Sequence, residues 1–102
     1  MDIEAAKNEV LSQTARIEWT ELERHFAAGN LIFISDALDL IEVGVNLIKD
    51  NKNQFQEWTS QQLVYPVTDT QAAKWYDQKT ILWAAVVAPW VLVQERADKG
   101  AV

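Results

Sequence analysis

The apolar stretch 81–94 constrains the fold of this chain more than any other part of the sequence. It reads ILWAAVVAPWVLVQ, and its first thirteen residues are apolar when Pro89 is included. A helix that spans a membrane needs about 20 apolar residues and is disrupted by a central proline. The β-branched and aromatic residues of the stretch favour a strand instead. We therefore predict two core strands, 81–87 and 90–94, which change direction at Ala88-Pro89.

Length, charge and cysteine content limit the class of protein. The 102 residues have room for one domain, and we expect a frayed polar tail from about residue 96. The lack of cysteine excludes disulfides, thiolate catalysis and cysteine-ligated metal sites, and it is compatible with the cytoplasm. The N-terminal sequence MDIEAAKNEV has no basic and apolar regions of a secretory signal. A net charge of -6 disfavours nucleic acid and anionic membranes as partners.

Helical periodicity predicts five helices, at 2–16, after Thr20, after Asp36, at 54–62 and at 69–79. Three of them begin at capping signals, which are Thr20 with Glu23, Asp36 with Asp39, and Thr68 with Gln71. Gly29 is placed to end the second helix. The third helix is apolar over more than half of its circumference, which is typical of a largely buried helix.

The stretch 31–35, with the sequence LIFIS, is the natural partner of the C-terminal strands. The stretch 63–67 contains Pro66 and is either an extended connection or an edge strand. The predicted fold is α+β, with about five helices packed on a small sheet formed by residues 31–35 and 81–94. Since so small a sheet is marginal in water, either helices cover it or a second subunit extends it, which would make a homodimer.

Several segments together resemble a known family. They are TARIEW (14–19), ELERHFAAG (21–29), LDLIEV (38–43), QEW (56–58), TDTQAAKW (68–75) and LWAAVVAPWVLVQE (82–95). Over about residues 10–95 the chain resembles an uncharacterised bacterial family, domain of unknown function 2288. The segment APWVLVQE is the most specific part of the resemblance. The resemblance implies a small, single-domain, cytosolic bacterial protein without an assigned activity, and it transfers no catalytic residue.

Three carboxylates, Asp36, Asp39 and Glu42, are spaced three residues apart on the predicted third helix. A hard cation could use two of them. We favour the alternative that the two aspartates cap the helix and the glutamate faces water, because no Glu-x-x-His pair or second carboxylate helix supports a metal site. We therefore predict no metal and no cofactor.

Arg16 could hold an anionic ligand with two hydrogen bonds. We favour a structural role, in which it stacks on an aromatic ring or pairs with Asp39 or Glu95. His25 is the only histidine in the sequence, and its neighbours form no catalytic motif. No serine lies in a nucleophile motif and no glycine-rich loop is present, so we predict no catalytic residue.

The aromatic residues Trp58, Tyr65, Trp75 and Tyr76 come from neighbouring elements and could line one groove. We favour the interpretation that they form part of the core, with the two tyrosines closest to the surface. Gln94 ends the apolar stretch, and strand ends are common places for ligand contacts. The candidate ligand or partner residues are therefore Arg16, Trp19, Asp39, Glu42, Trp58, Trp75 and Gln94.

Two functional hypotheses follow from these residues. The first is a non-enzymatic interaction or structural module that presents an acidic, tryptophan-containing surface to a protein partner. The second is a small-molecule-binding protein or a hydrolase-like enzyme that uses Arg16, Asp39 and Glu42, with His25 as an optional fourth residue. It requires these residues to converge in one pocket. A third possibility, nucleic-acid binding, is disfavoured by the charge.

Overall fold

A computed structural model of the protein describes residues 3–95, with the backbone alone for Ile3. Five helices and five strands occupy this part of the chain. The helices are α1 (Ile3–Ser12), α2 (Trp19–Ala27), α3 (Leu40–Ile48), α4 (Lys52–Ser60) and α5 (Asp69–Gln78). The strands are β1 (Thr14–Glu18), β2 (Leu31–Ile34), β3 (Val64–Pro66), β4 (Ile81–Val87) and β5 (Trp90–Gln94). The predicted α+β class is confirmed, and the polar tail lies outside the described residues.

The strands form one mixed sheet in the order β1-β4-β5-β2-β3. β2 and β5 run parallel, and the other neighbouring strands are antiparallel. The predicted change of direction at Ala88-Pro89 is confirmed, because β4 and β5 form a hairpin in which Val87 lies opposite Trp90. The predicted pairing of stretch 31–35 with the C-terminal strands is also confirmed, since Leu31 lies beside Val91. The stretch 63–67 contains the edge strand β3.

Helices cover both faces of this sheet, which is why the central strands are almost continuously apolar. On one face, Ala85 and Leu92 contact α1, α3 and α4 in what we call the first core. On the other face, Ala84 and Val93 contact α2 and α5 in the second core. Adjacent residues of a strand point to opposite faces, so the hairpin supplies the floor of both cores.

The first helix was predicted to extend to residue 16, and this prediction is wrong for residues 14–16. α1 ends at Ser12 and the chain then extends along β4, where five residue pairs are in register. The Thr14 hydroxyl donates to the carbonyl of Val10 at 2.6 Å just after the last turn. The helical spacing of Ile17 is accidental, because its side chain packs against the second core from β1. Pairing with a central strand outweighs a weak periodicity.

The capping predictions have mixed outcomes. The Thr20–Glu23 box is wrong, because α2 already begins at Trp19, whose N–H donates to the Thr80 carbonyl at 3.0 Å. Asp39, rather than Asp36, is the cap of α3. The remaining signals are confirmed, since Thr68 and Gln71 form a capping box and Gly29 has a φ of 79° after the end of α2. α4 begins two residues before its predicted start, after the capping residue Asn51.

Candidate functional site

Three tryptophans proposed as candidate surface residues lie in the cores. Trp19 and Trp75 are buried in the second core, with ring centroids 5.5 Å apart. Trp58 is buried in the first core. The prediction that Trp58 and Trp75 belong to the core is therefore confirmed. Tyr76 reaches the surface, with 61% of its area exposed.

Gln94 has a structural position at the end of β5. Gln94 is only 2% exposed, and its side-chain amide donates to the carbonyls of Ser35 at 2.9 Å and Leu38 at 2.7 Å. These two hydrogen bonds connect β5 to the segment between β2 and α3. The amide therefore holds this connection in place.

Arg16 lies on the exposed side of β1, opposite Trp83 of β4. Its guanidinium carbon is 6.0 Å from the centroid of the Trp83 ring, at the outer limit of a cation–π contact. Contact with an aromatic ring is one of the structural roles that we favoured for this arginine.

Asp39 and Glu42 line a shallow groove together with Lys7 and Lys49, and Arg16 is not part of its lining. Asp39 Oδ1 accepts hydrogen bonds from the backbone N–H groups of Ile41 at 2.9 Å and Glu42 at 3.5 Å. The carboxylate therefore caps α3. Within residues 3–95, no three histidine, cysteine or carboxylate side chains are grouped to hold a metal ion.

Replacing Asp39 with alanine is expected to lower the free energy of unfolding by about 1 kcal/mol, because the helix loses its cap. Asp39→Asn keeps an oxygen at the same place and should stay within a few tenths of a kcal/mol of the wild type. Urea unfolding followed by circular dichroism measures both values. An equally large loss in the two variants would contradict the capping role and point to a need for the charge itself.

Several apolar residues at and beside the turn between β4 and β5 are exposed. We call its exposed residues Val86, Ala88, Pro89 and Trp90 the hairpin tip. Trp90 has 37% of its area exposed. No charged residue occurs between 80 and 94, and the turn has none of the glycine, asparagine or aspartate that hairpin turns usually contain. The hairpin tip therefore presents an uncharged, apolar turn to solvent.

An apolar groove of about 240 Å³ adjoins the hairpin tip. Strands β2, β3 and β5 form its floor, while the end of α3 and the middle of α4 form its wall. The groove is lined by Ile32, Leu47, Phe55, Thr59, Val64, Tyr65, Pro66, Trp90 and Leu92. None of these nine residues is charged.

Core contacts hold the groove in shape without a ligand. Phe55, on the wall, packs edge-on against the buried Trp58 at 5.4 Å between ring centroids. Leu92, on the floor, is fully buried. The Tyr65 hydroxyl is already bonded, since it accepts from Gln71 Nε2 at 3.2 Å. A preformed, mostly apolar concavity beside an exposed tryptophan is a typical binding site.

The sequence matches, over residues 5–95, the family described as "Protein of unknown function (DUF2288)". The chain belongs to the DUF2288 family. Its fold is similar to the NMR solution structure of PA1075 from Pseudomonas aeruginosa, with a TM-score of 0.80 and 39% sequence identity. The similarity covers 93% of this chain and 88% of the PA1075 chain. No curated protein matches this DUF2288 protein, and the resemblance inferred from the sequence segments is confirmed.

A second groove of this DUF2288 protein, about 440 Å³, lies between α2 and α5. It includes the exposed Tyr76 and Ile81, but Glu18, Asp77 and Lys79 also line it. Its mixed charges make it a poorer apolar docking site than the smaller groove at the hairpin tip.

None of the helices within residues 3–95 of this DUF2288 protein is long and apolar enough to cross a membrane.

The sequence-based choice of site residues missed Trp90, because the whole stretch 81–94 was interpreted as core. No local signal marked Trp90 as exposed, because Pro89 is an ordinary turn residue and a tryptophan beside a turn can be buried or exposed.

Proposed function

We propose that this protein is a non-enzymatic interaction module that binds a protein partner through the hairpin tip and the adjoining apolar groove. The observation that carries the proposal is Trp90, which stands partly exposed at the rim of an uncharged, preformed groove. Tryptophan is enriched among the residues that dominate binding energy in protein interfaces. The proposal places the protein in the bacterial cytoplasm, without a nucleic-acid or membrane partner.

The hairpin tip joins the groove at Trp90, whereas Val86 of the tip lies on the opposite face of β4. Trp90 belongs to both, and its opposite residue, Val87, packs against the first core beneath it. Covering an apolar surface stabilises a complex by about 25 cal/mol for each Å² removed from water. A partner that covers the indole ring and also fills the groove would bury both apolar surfaces, and each burial would stabilise the complex.

The alternative, a small-molecule or hydrolase-like site, has less support from the geometry. It requires Arg16, Asp39 and Glu42 to act together. Arg16 lies over Trp83, whereas the two carboxylates share a different groove with Lys7 and Lys49. The Asp39 carboxylate also has a structural role as the cap of α3.

Site-specific photo-crosslinking in living bacteria tests the interaction proposal. p-Benzoylphenylalanine is placed at Ala88 in the hairpin tip and, as a matched control, at Tyr76 beside the charged groove. We expect a discrete protein adduct from position 88 that is weak or absent from position 76. The additional substitution Trp90→Asp should remove the adduct. Equal labelling from the two positions, or no adduct from position 88, would contradict the proposal.

A further inference from the structure

We infer that the partner at the hairpin tip is a second copy of this chain, so that two copies pack tip to tip about a two-fold axis. This inference rests on the proposed function and names the partner of the same surface. Three features of the surface support it: the distribution of charge, the position of the apolar groove next to the tip, and the stability of the surface in the free chain.

The charge distribution favours contact between like copies at this surface. Each copy carries a net charge of -6, so two copies repel one another when charged faces meet. The fifteen residues 80–94 form the longest stretch of the sequence without a charged side chain. The Asp39–Glu42 groove and the groove between α2 and α5 each have at least three charged residues in their lining, whereas the groove at the hairpin tip has none.

The lack of charge at the hairpin tip and groove also favours an identical subunit over a different protein as the partner. A different protein that binds an acidic chain selectively is usually steered by complementary charges. The hairpin tip and groove offer no such charges, so recognition depends on apolar shape alone. Interfaces between identical subunits are more apolar than those between proteins that meet transiently, which matches this surface.

The tip and the groove are complementary features at the same end of one molecule. Ala88 and Pro89 are exposed at the turn, while the groove lies directly beside Trp90. A two-fold axis at this end would place each turn against the groove of the other copy, as an interface of identical patches requires. A groove of about 240 Å³ has room for the small apolar side chains of the other copy's turn, Ala88 and Pro89.

The groove already has a fixed shape in the free chain. Phe55 is held by Trp58, and Leu92 is buried beneath the groove. Little ordering of side chains is therefore needed on association, which lowers the entropic cost of forming the dimer.

Sedimentation velocity of the purified full chain tests the inference over about 1 to 300 µM, the range in which small interfaces dissociate. We expect the mass to rise from 11.6 kDa to about twice that value with concentration. Trp90→Asp should raise the dissociation constant at least tenfold. Tyr76→Asp adds the same charge at an exposed aromatic residue elsewhere and should leave the dissociation constant unchanged.

Circular dichroism verifies that each variant is folded, and Ala88→Asp replaces Trp90→Asp if the latter unfolds. A chain that remains monomeric at the highest concentration would overturn the inference, and so would a dimer that is insensitive to both tip variants. The photo-crosslinking experiment distinguishes a failure of this inference from a failure of the proposed function. An adduct of twice the chain mass supports the second copy, whereas an adduct with a different protein overturns it and leaves the interaction function standing.

Discussion

Replacing Trp75 with alanine is expected to lower the free energy of unfolding by about 3–5 kcal/mol. Its side chain is completely buried at the centre of the second core, with ring centroids 5.5 Å from Trp19 and 6.1 Å from Phe33. Its indole N–H also donates to Glu95 Oε2 at 2.6 Å. Because domains of this size are stable by only about 5–15 kcal/mol, this one change removes a large share of the total.

Urea unfolding of Trp75→Ala, Trp75→Phe and Trp90→Ala measures the effect. Phenylalanine keeps most of the apolar area and loses the hydrogen bond to the partly exposed Glu95, so we expect a smaller cost of about 1–2 kcal/mol. Trp90→Ala is the matched exposed control, for which we expect about 1 kcal/mol or less. A loss from Trp75→Ala no larger than that from Trp90→Ala would show that the second core is not organised around Trp75.

Replacing Gln94 with glutamate is expected to lower the free energy of unfolding at pH 7 by about 3–5 kcal/mol. The wild-type amide is buried and donates to two carbonyl oxygens, those of Ser35 and Leu38. A carboxylate would direct negative charge at the same carbonyls in a site shielded from water. Burial and this repulsion would raise the pKa of the new carboxyl group in the folded state above its unfolded value of about 4.3.

The sign of the resulting pH dependence follows from that raised pKa. Below the unfolded pKa the glutamate is protonated in both states, so the variant should differ least from the wild type there. The difference should grow as the pH rises from the unfolded pKa to the folded pKa, and then remain constant. Gln94→Leu is the uncharged control, and it should lower the free energy of unfolding by an amount that does not change with pH. If Gln94→Glu lowers the free energy of unfolding equally at pH 4 and pH 8, the buried position of Gln94 beside two carbonyl oxygens would be contradicted.

The helices and the central strands could be predicted largely from local sequence signals. The Thr68–Gln71 box and Gly29 act through contacts within a few residues, so they can be recognised without a structure. The stretch 81–94 was equally clear, because continuous apolar character requires burial on both faces of a sheet. The strand β1 could not be predicted in the same way, because its extended form depends on pairing with β4, more than sixty residues later.

The candidate site was harder to predict for a related reason. Exposure of a tryptophan depends on which helix covers its face of the sheet, and nothing local distinguishes Trp75 from Trp90. The structure buries Trp75 in the second core, whereas Trp90 begins β5 and lies partly exposed in the lining of the apolar groove. Gln94 was selected for its place at a strand end, although its polar group is used within the protein.

Hydroxyl-radical footprinting tests most directly whether protein covers the hairpin tip. The oxidation of Trp90 is compared with that of Tyr76, once in dilute purified protein and once in freshly prepared cell extract at the native concentration. We predict that Trp90 is oxidised readily in the dilute sample and protected in the extract, while Tyr76 is oxidised to the same extent in both. Equal oxidation of Trp90 in the two samples would contradict a function of the hairpin tip in binding protein.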